Sequence, residues 1–121
     1  MASEAQSEML GLLPSSLAEL AVDLSVIAGS REYSFPLSAA PVVLETLLES
    51  GVTVLGGDLW DLEGDEHHPS GESWYTDSLE GESAMAREAR VRATANEFFA
   101  RYETVADKRV TFVVKSRSAT S

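Results

Sequence analysis

The sequence predicts an α+β domain: a small antiparallel sheet of about three strands with helices packed on one face. Three observations carry that expectation. Two stretches, near 38–51 and 83–102, repeat apolar residues at helical intervals. Two β-branched runs, Val52-Thr53-Val54-Leu55 and Arg109–Lys115, read as strands, and between them lies a polar segment rich in turn residues, GDEHHPSG. With 121 residues, 44% hydrophobic and 24% charged, the chain suits one folded domain with a modest core. Residues 1–14 are expected to form a frayed N-terminal segment, and the polar end over 116–121 a loose tail.

The elements follow in order. A helix is expected after Pro14, capped by Ser15 or Ser16 and carrying Leu17, Leu20, Ala21 and Leu24 on one stripe until Gly29 and Ser30 end it. Tyr33, Phe35 and Pro36 read as extended chain or turn, since a residue before proline is biased away from helix. Ser38 is the expected cap of the next helix, with Pro41 in its first turn, Val43, Leu44, Leu47 and Leu48 buried, and Gly51 at the left-handed C-terminal position. Val52–Leu55 then starts a strand that resumes through Leu59, Trp60 and Leu62 after two glycines. Gly64 to Gly71 is read as the loop to a short second strand, Ser73 to Asp77. Ser83 starts the longest helix, with Val91, Ala95, Phe98 and Tyr102 on one stripe and Phe99 widening it. Arg109–Lys115 closes the sheet with Val110, Phe112 and Val114 on one side.

Charge limits the partners. The chain has 20 acids against 9 bases, a formal net charge of -11. Its pI is near 4.4. Such a balance repels phosphate backbones and anionic lipid, which argues against nucleic-acid and membrane-surface binding and favours solubility or a basic protein partner. The N-terminal MASEAQSEML carries acids where a signal peptide would be positive, and no apolar run is long enough to span a bilayer, so a cytoplasmic protein is expected. The absence of cysteine excludes disulfides and thiolate metal sites.

The unusual residues concentrate between Gly51 and Asp77, which holds both tryptophans, both histidines and a group of carboxylates with no Lys or Arg among them. Gly56-Gly57 inside a strand implies a bulge or a close backbone approach, which would either re-aim Asp58 and Trp60 for binding or simply bend the sheet. In Trp74-Tyr75-Thr76-Asp77 the alternation puts one aromatic in the core and leaves the other for the surface, where Tyr and Trp are frequent interface anchors. Asp61, Glu63, Asp65 and Glu72 fall at positions 1, 3, 5 and 12 of a calcium-loop pattern, but Glu66 stands where that loop needs glycine. His67 and His68 are adjacent and do not readily converge on one ion, and they read as surface-loop residues. No phosphate-binding loop, GxSxG elbow or HExxH helix occurs, so no catalytic residue, metal or cofactor is assigned.

At VLGGDLW, then SWYTD, then a long helix with Phe98, Phe99 and Tyr102 and a closing strand, the chain resembles the immunity protein 40 family of bacterial polymorphic toxin systems. The resemblance covers roughly residues 40 to 115, while the first forty residues do not contribute and the stretch Glu63 to Glu72 is this chain's own. It implies a small cytoplasmic α+β protein, not an enzyme, that binds and neutralises a cognate toxin domain, expected to be basic. The matched pattern positions are Gly56, Gly57, Asp58, Trp74, Tyr75 and Asp77. With the carboxylates of the hairpin, the expected partner-binding set is Asp58, Trp60, Asp61, Glu63, Asp65, Glu66, Glu72, Trp74, Tyr75 and Asp77, over Gly56 and Gly57 as structural motif. On the residues alone two other classes stay open, a regulatory or adaptor module and a small hydrolase or metal-dependent enzyme. The oligomeric state is not fixed.

Overall fold

A computed structural model of the chain describes residues 9–24, 32–64, 66–77, 79–104 and 108–115. After a helical turn over residues 9–12 come α1 (Ser15–Ala18), β1 (Val22–Asp23), β2 (Tyr33–Pro36), a 3-10 turn (Leu37–Ala39), α2 (Ala40–Glu49), β3 (Thr53–Glu63), β4 (Glu66–Tyr75), α3 (Ala84–Tyr102) and β5 (Lys108–Lys115). The strands form one antiparallel sheet in the order β1-β2-β5-β3-β4, so it has five strands where about three were expected. The two additions are β1 and β2, too short to leave a periodic signature. The α+β class stands.

Local chemistry sets the helix ends. α2 closes with Gly51 at φ 81°, Val52 N–H bonding the Leu47 carbonyl at 3.0 Å and Gly51 N–H that of Leu48 at 3.1 Å, the paired bonds of a Schellman ending. Ser83 caps α3 as expected, its Oγ accepting from Ala86 N–H at 3.1 Å. Ser38 does not cap α2: it lies in the 3-10 turn, and Pro41, inside the first turn, lacks one of the N–H groups a cap would bind. The helix expected through Leu24 is a single turn, Ser15–Ala18, with no side-chain cap, because Val22 and Asp23 pair with Ser34 and Tyr33 instead. Gly29 and Ser30 lie outside the described residues.

β3 runs unbroken through both glycines, and β4 begins at Glu66, so most of the expected loop is strand. Backbone pairing from Glu63↔Glu66 to Trp60↔Pro69 overrides the turn-like composition of this stretch. Pro69 is tolerated because β4 is an edge. The ladder then breaks: Trp60 faces Pro69 while Asp58 faces Ser73, so Ser70, Gly71 and Glu72 bulge out opposite Leu59. Ser70 replaces the lost bond by donating from Oγ to the Leu59 carbonyl at 2.9 Å and accepting from Glu72 N–H at 3.1 Å. Gly71 at φ 87° makes the bend.

The core lies between the sheet and the helices. Val110, Phe112 and Val114 of β5, Val54 and Leu59 of β3, Phe35 of β2 and Trp74 of β4 meet Val43, Leu44 and Leu47 of α2 and Val91, Ala95, Phe98 and Phe99 of α3. Trp74 sits edge-on to both Phe99 and Phe112, with centroids at 6.1 and 6.5 Å. The glycines permit this. A Cβ on Gly57 would stand 2.4 Å from the Thr111 carbonyl oxygen and 2.8 Å from Trp74 Nε1, and one on Gly56 would stand 2.4 Å from the Trp74 carbonyl oxygen. Gly56-Gly57 therefore marks close backbone approach, with a register shift beside it between Val54 and Gly56.

Gly57→Ala is expected to lower stability by roughly 2 kcal/mol or more, since backbone must move to admit the methyl. Gly64→Ala, at φ 61° but with open space around it, should lose only about 1 kcal/mol. Urea unfolding midpoints of the two variants check the order.

Candidate functional site

Between Arg31 and Arg87 the chain contains no Lys or Arg. Every described cation therefore sits on α3 or β5, and most are used internally. Arg92 donates to both oxygens of Glu45 at 3.0 and 2.7 Å, Arg90 holds Glu82 at 2.9 Å, Arg101 reaches Glu97 at 3.5 Å, and Lys108 pairs with Asp61. The β3–β4 hairpin is left with carboxylates and little to balance them.

The expected site residues divide by face. Asp58 is half-buried on the sheet face away from the helices, level with Ser73 and Thr111. Its carboxyl is pushed above the ordinary range, first by burial and then by the neighbouring Glu32 charge. Glu63 and Glu66 oppose each other at the end of the hairpin, exposed, with His68 Nε2 at 3.9 and 3.4 Å from them. Glu72 is exposed in the bulge and accepts from the Tyr102 hydroxyl at 3.1 Å. Tyr75 is 64% exposed. Buried Thr76 anchors it, bonding Leu55 through its N–H at 2.9 Å. Asp77 is exposed just past β4, its carbonyl accepting from Arg90. Asp65 lies outside the described residues.

Asp61 is tied to Lys108, and both tryptophans are buried, at 7% exposure for Trp60 and 6% for Trp74. The two tryptophans support the surface from beneath, whereas the Asp61 side chain stays 42% exposed beside Lys108. What the structure brings together is Asp58, Trp60 and Glu72, which with Pro69, Gly71 and Ser73 line a notch of about 240 Å³ at the bulge. A larger hollow of about 510 Å³ lies elsewhere, where Leu62, Phe99, Lys108 and Pro41 meet.

A second buried layer on the helix-free face did not emerge from the sequence. Trp60 Nε1 donates to Thr111 Oγ1 at 3.3 Å, Arg109 Nε donates to Ser34 Oγ at 2.8 Å, and His67 Nε2 meets the same Oγ at 3.0 Å. His67 packs edge-on to Trp60 with centroids at 6.4 Å, so it is a buried strand residue and not the surface-loop residue expected. The signal available was the alternation Glu66 out, His67 in, His68 out, masked by the neighbouring Pro69-Ser70-Gly71.

A family model described as Immunity protein 40 matches residues 21–115. The chain belongs to the immunity protein 40 family. The immunity protein 40 match takes in all five strands together with α2 and α3, and leaves α1 outside. It extends toward the N-terminus the resemblance seen from residue 40, adding β1 and β2. The family name is that of immunity proteins of toxin systems. No match was found among curated proteins or solved structures. Among the described residues no helix is long and apolar enough to cross a membrane.

The buried layer makes stability pH-dependent. The His67 pKa lies below its ordinary value, through burial first and then the Arg109 and His68 charges. As pH falls the unfolded chain takes up this proton before the folded one, so stability present above the ordinary histidine pKa is lost below it. Asp58 acts oppositely at lower pH, because its raised carboxyl is protonated first in the folded state. The urea midpoint should therefore fall between about pH 7.5 and pH 5.5, and His67→Gln should flatten that slope.

Proposed function

We propose that this chain is an immunity protein that binds and neutralises a cognate toxin domain in the cytoplasm of the cell that makes both, and catalyses no reaction itself. Family membership supports the class. The observation that carries the binding surface is the charge segregation: Asp58, Glu63, Glu66 and Glu72 lie along one hairpin, and no described Lys or Arg lies on either of its strands. At roughly 3.3 Å per residue the five steps from Asp58 to Glu63 spread this charge over about 17 Å. An acidic hairpin of this length suits insertion into a basic groove of the kind that binds phosphate chains, with carboxylates standing in for phosphates. Tyr75 adds a large, rigid, amphipathic contact on the same element.

The direct test expresses the neighbouring toxin domain with and without this chain, following growth and co-purification. Protection with a stable complex is expected, and failure of the two chains to associate would end the proposal.

Two further outcomes are expected. Association should slow about 10-fold or more from low to high salt, and Glu63→Gln with Glu66→Gln should remove part of that dependence while leaving dissociation nearly unchanged. Stopped-flow rates at several ionic strengths read both. Tyr75→Ala should weaken binding about 10-fold or more, mainly through faster dissociation, without loss of thermal stability because the ring is solvent-exposed.

A further inference from the structure

The bulge in β4 opens the notch on the helix-free face. The register pairs Asp58↔Ser73 and Trp60↔Pro69 bound its two ends, and Gly71 and Glu72 form the outer wall. Its volume of about 240 Å³ falls below the roughly 300–1,000 Å³ of small-molecule sites, a size suited to one long side chain. The electrostatics select the sign. Asp58 is half-buried, and the charge acting on it is a second acid, Glu32. Among the described residues no side chain donates a hydrogen bond to Asp58, and Arg109, which pairs with Trp60 across the sheet, is committed to Ser34 and to the Leu20 carbonyl. A carboxylate partly stripped of water beside another acid gains most from an arriving cation. Trp60 and Pro69 offer an aromatic and an aliphatic wall against which the methylene stem of such a side chain can lie.

We infer that the notch seats one lysine or arginine side chain of the toxin domain, its charged end bonded to the Asp58 carboxylate and its stem along Trp60 and Pro69. The inference rests on the immunity reading and identifies one specific contact within it. It separates two roles on the hairpin: Glu63 and Glu66 at the tip steer the approach, and Asp58 holds the docked partner.

The test uses the full chain and the toxin domain encoded beside it. Asp58→Asn should be at least as stable as the parent, since it removes a poorly solvated charge, yet its complex should dissociate roughly 30-fold faster or more with little change in association. Ser73→Leu, at an exposed position, should fill the notch and weaken binding while Asp58 remains. In a Lys/Arg→Ala scan of the toxin domain, one substitution should weaken the parent complex and add nothing to Asp58→Asn. If Asp58→Asn and Ser73→Leu both bind within twofold of the parent, the notch is not the seat and the immunity reading still stands. If the parent chain and the toxin domain do not bind at all, the immunity reading falls and takes the notch with it.

Discussion

Trp74 can stand edge-on to Phe99 and Phe112 only because the residue beneath it, Gly57, has no side chain. The rest of the domain depends on that contact. Trp74 belongs to the edge strand, and its burial draws β4 against β3 and under α3; Phe112 lies on β5 and Phe99 on α3, so one indole ties two strands and a helix together. Burying an aromatic of this size stabilises by about 1.5–3 kcal/mol, enough to hold an edge strand whose ladder is broken by a bulge. The alternation of the strand then turns Tyr75 outward, and Thr76 fixes the exit of β4 by bonding Leu55.

Charge placement follows from the same geometry. The helix layer uses its arginines to neutralise its own acids, Glu45, Glu82 and Glu97, so that face is internally compensated. On the hairpin Asp61 is paired with Lys108, while Glu63, Glu66 and Glu72 form no ion pair with a described Lys or Arg and keep their field. On the helix-free side the sheet is not covered by apolar residues alone. Ser34, Thr111, Trp60, His67 and Arg109 satisfy one another's polar atoms there, a more directional arrangement than a second hydrophobic layer would be.

Much of this was legible in the sequence wherever the signal was local. Gly51, Ser83, the α3 stripe through Phe98 and Tyr102 and the Val110, Phe112, Val114 alternation each report the backbone they occupy, and each is found there. The two-way split of Trp74 and Tyr75 and the close approach at Gly56-Gly57 were equally readable. What escaped depended on pairing between distant segments. Val22 and Asp23 become strand because Ser34 and Tyr33 lie beside them, and Glu66–Pro69 becomes strand because β3 is there to bond it, against a composition that says turn. The same non-local effect buried His67 and Trp60, since only the paired sheet brings them over Ser34 and Thr111. For the residues expected to form the site, the sequence did not separate the exposed carboxylates from the buried tryptophans.

The two glycines at the base of the hairpin also set where this surface is free to vary. A substitution at Gly56 or Gly57 is refused by neighbouring backbone, whereas Glu63, Glu66 and Tyr75 stand in solvent. Replacement of those outer residues leaves the foundation untouched. On the immunity reading proposed above, substitutions that alter recognition are thereby separate from those that decide whether the chain folds.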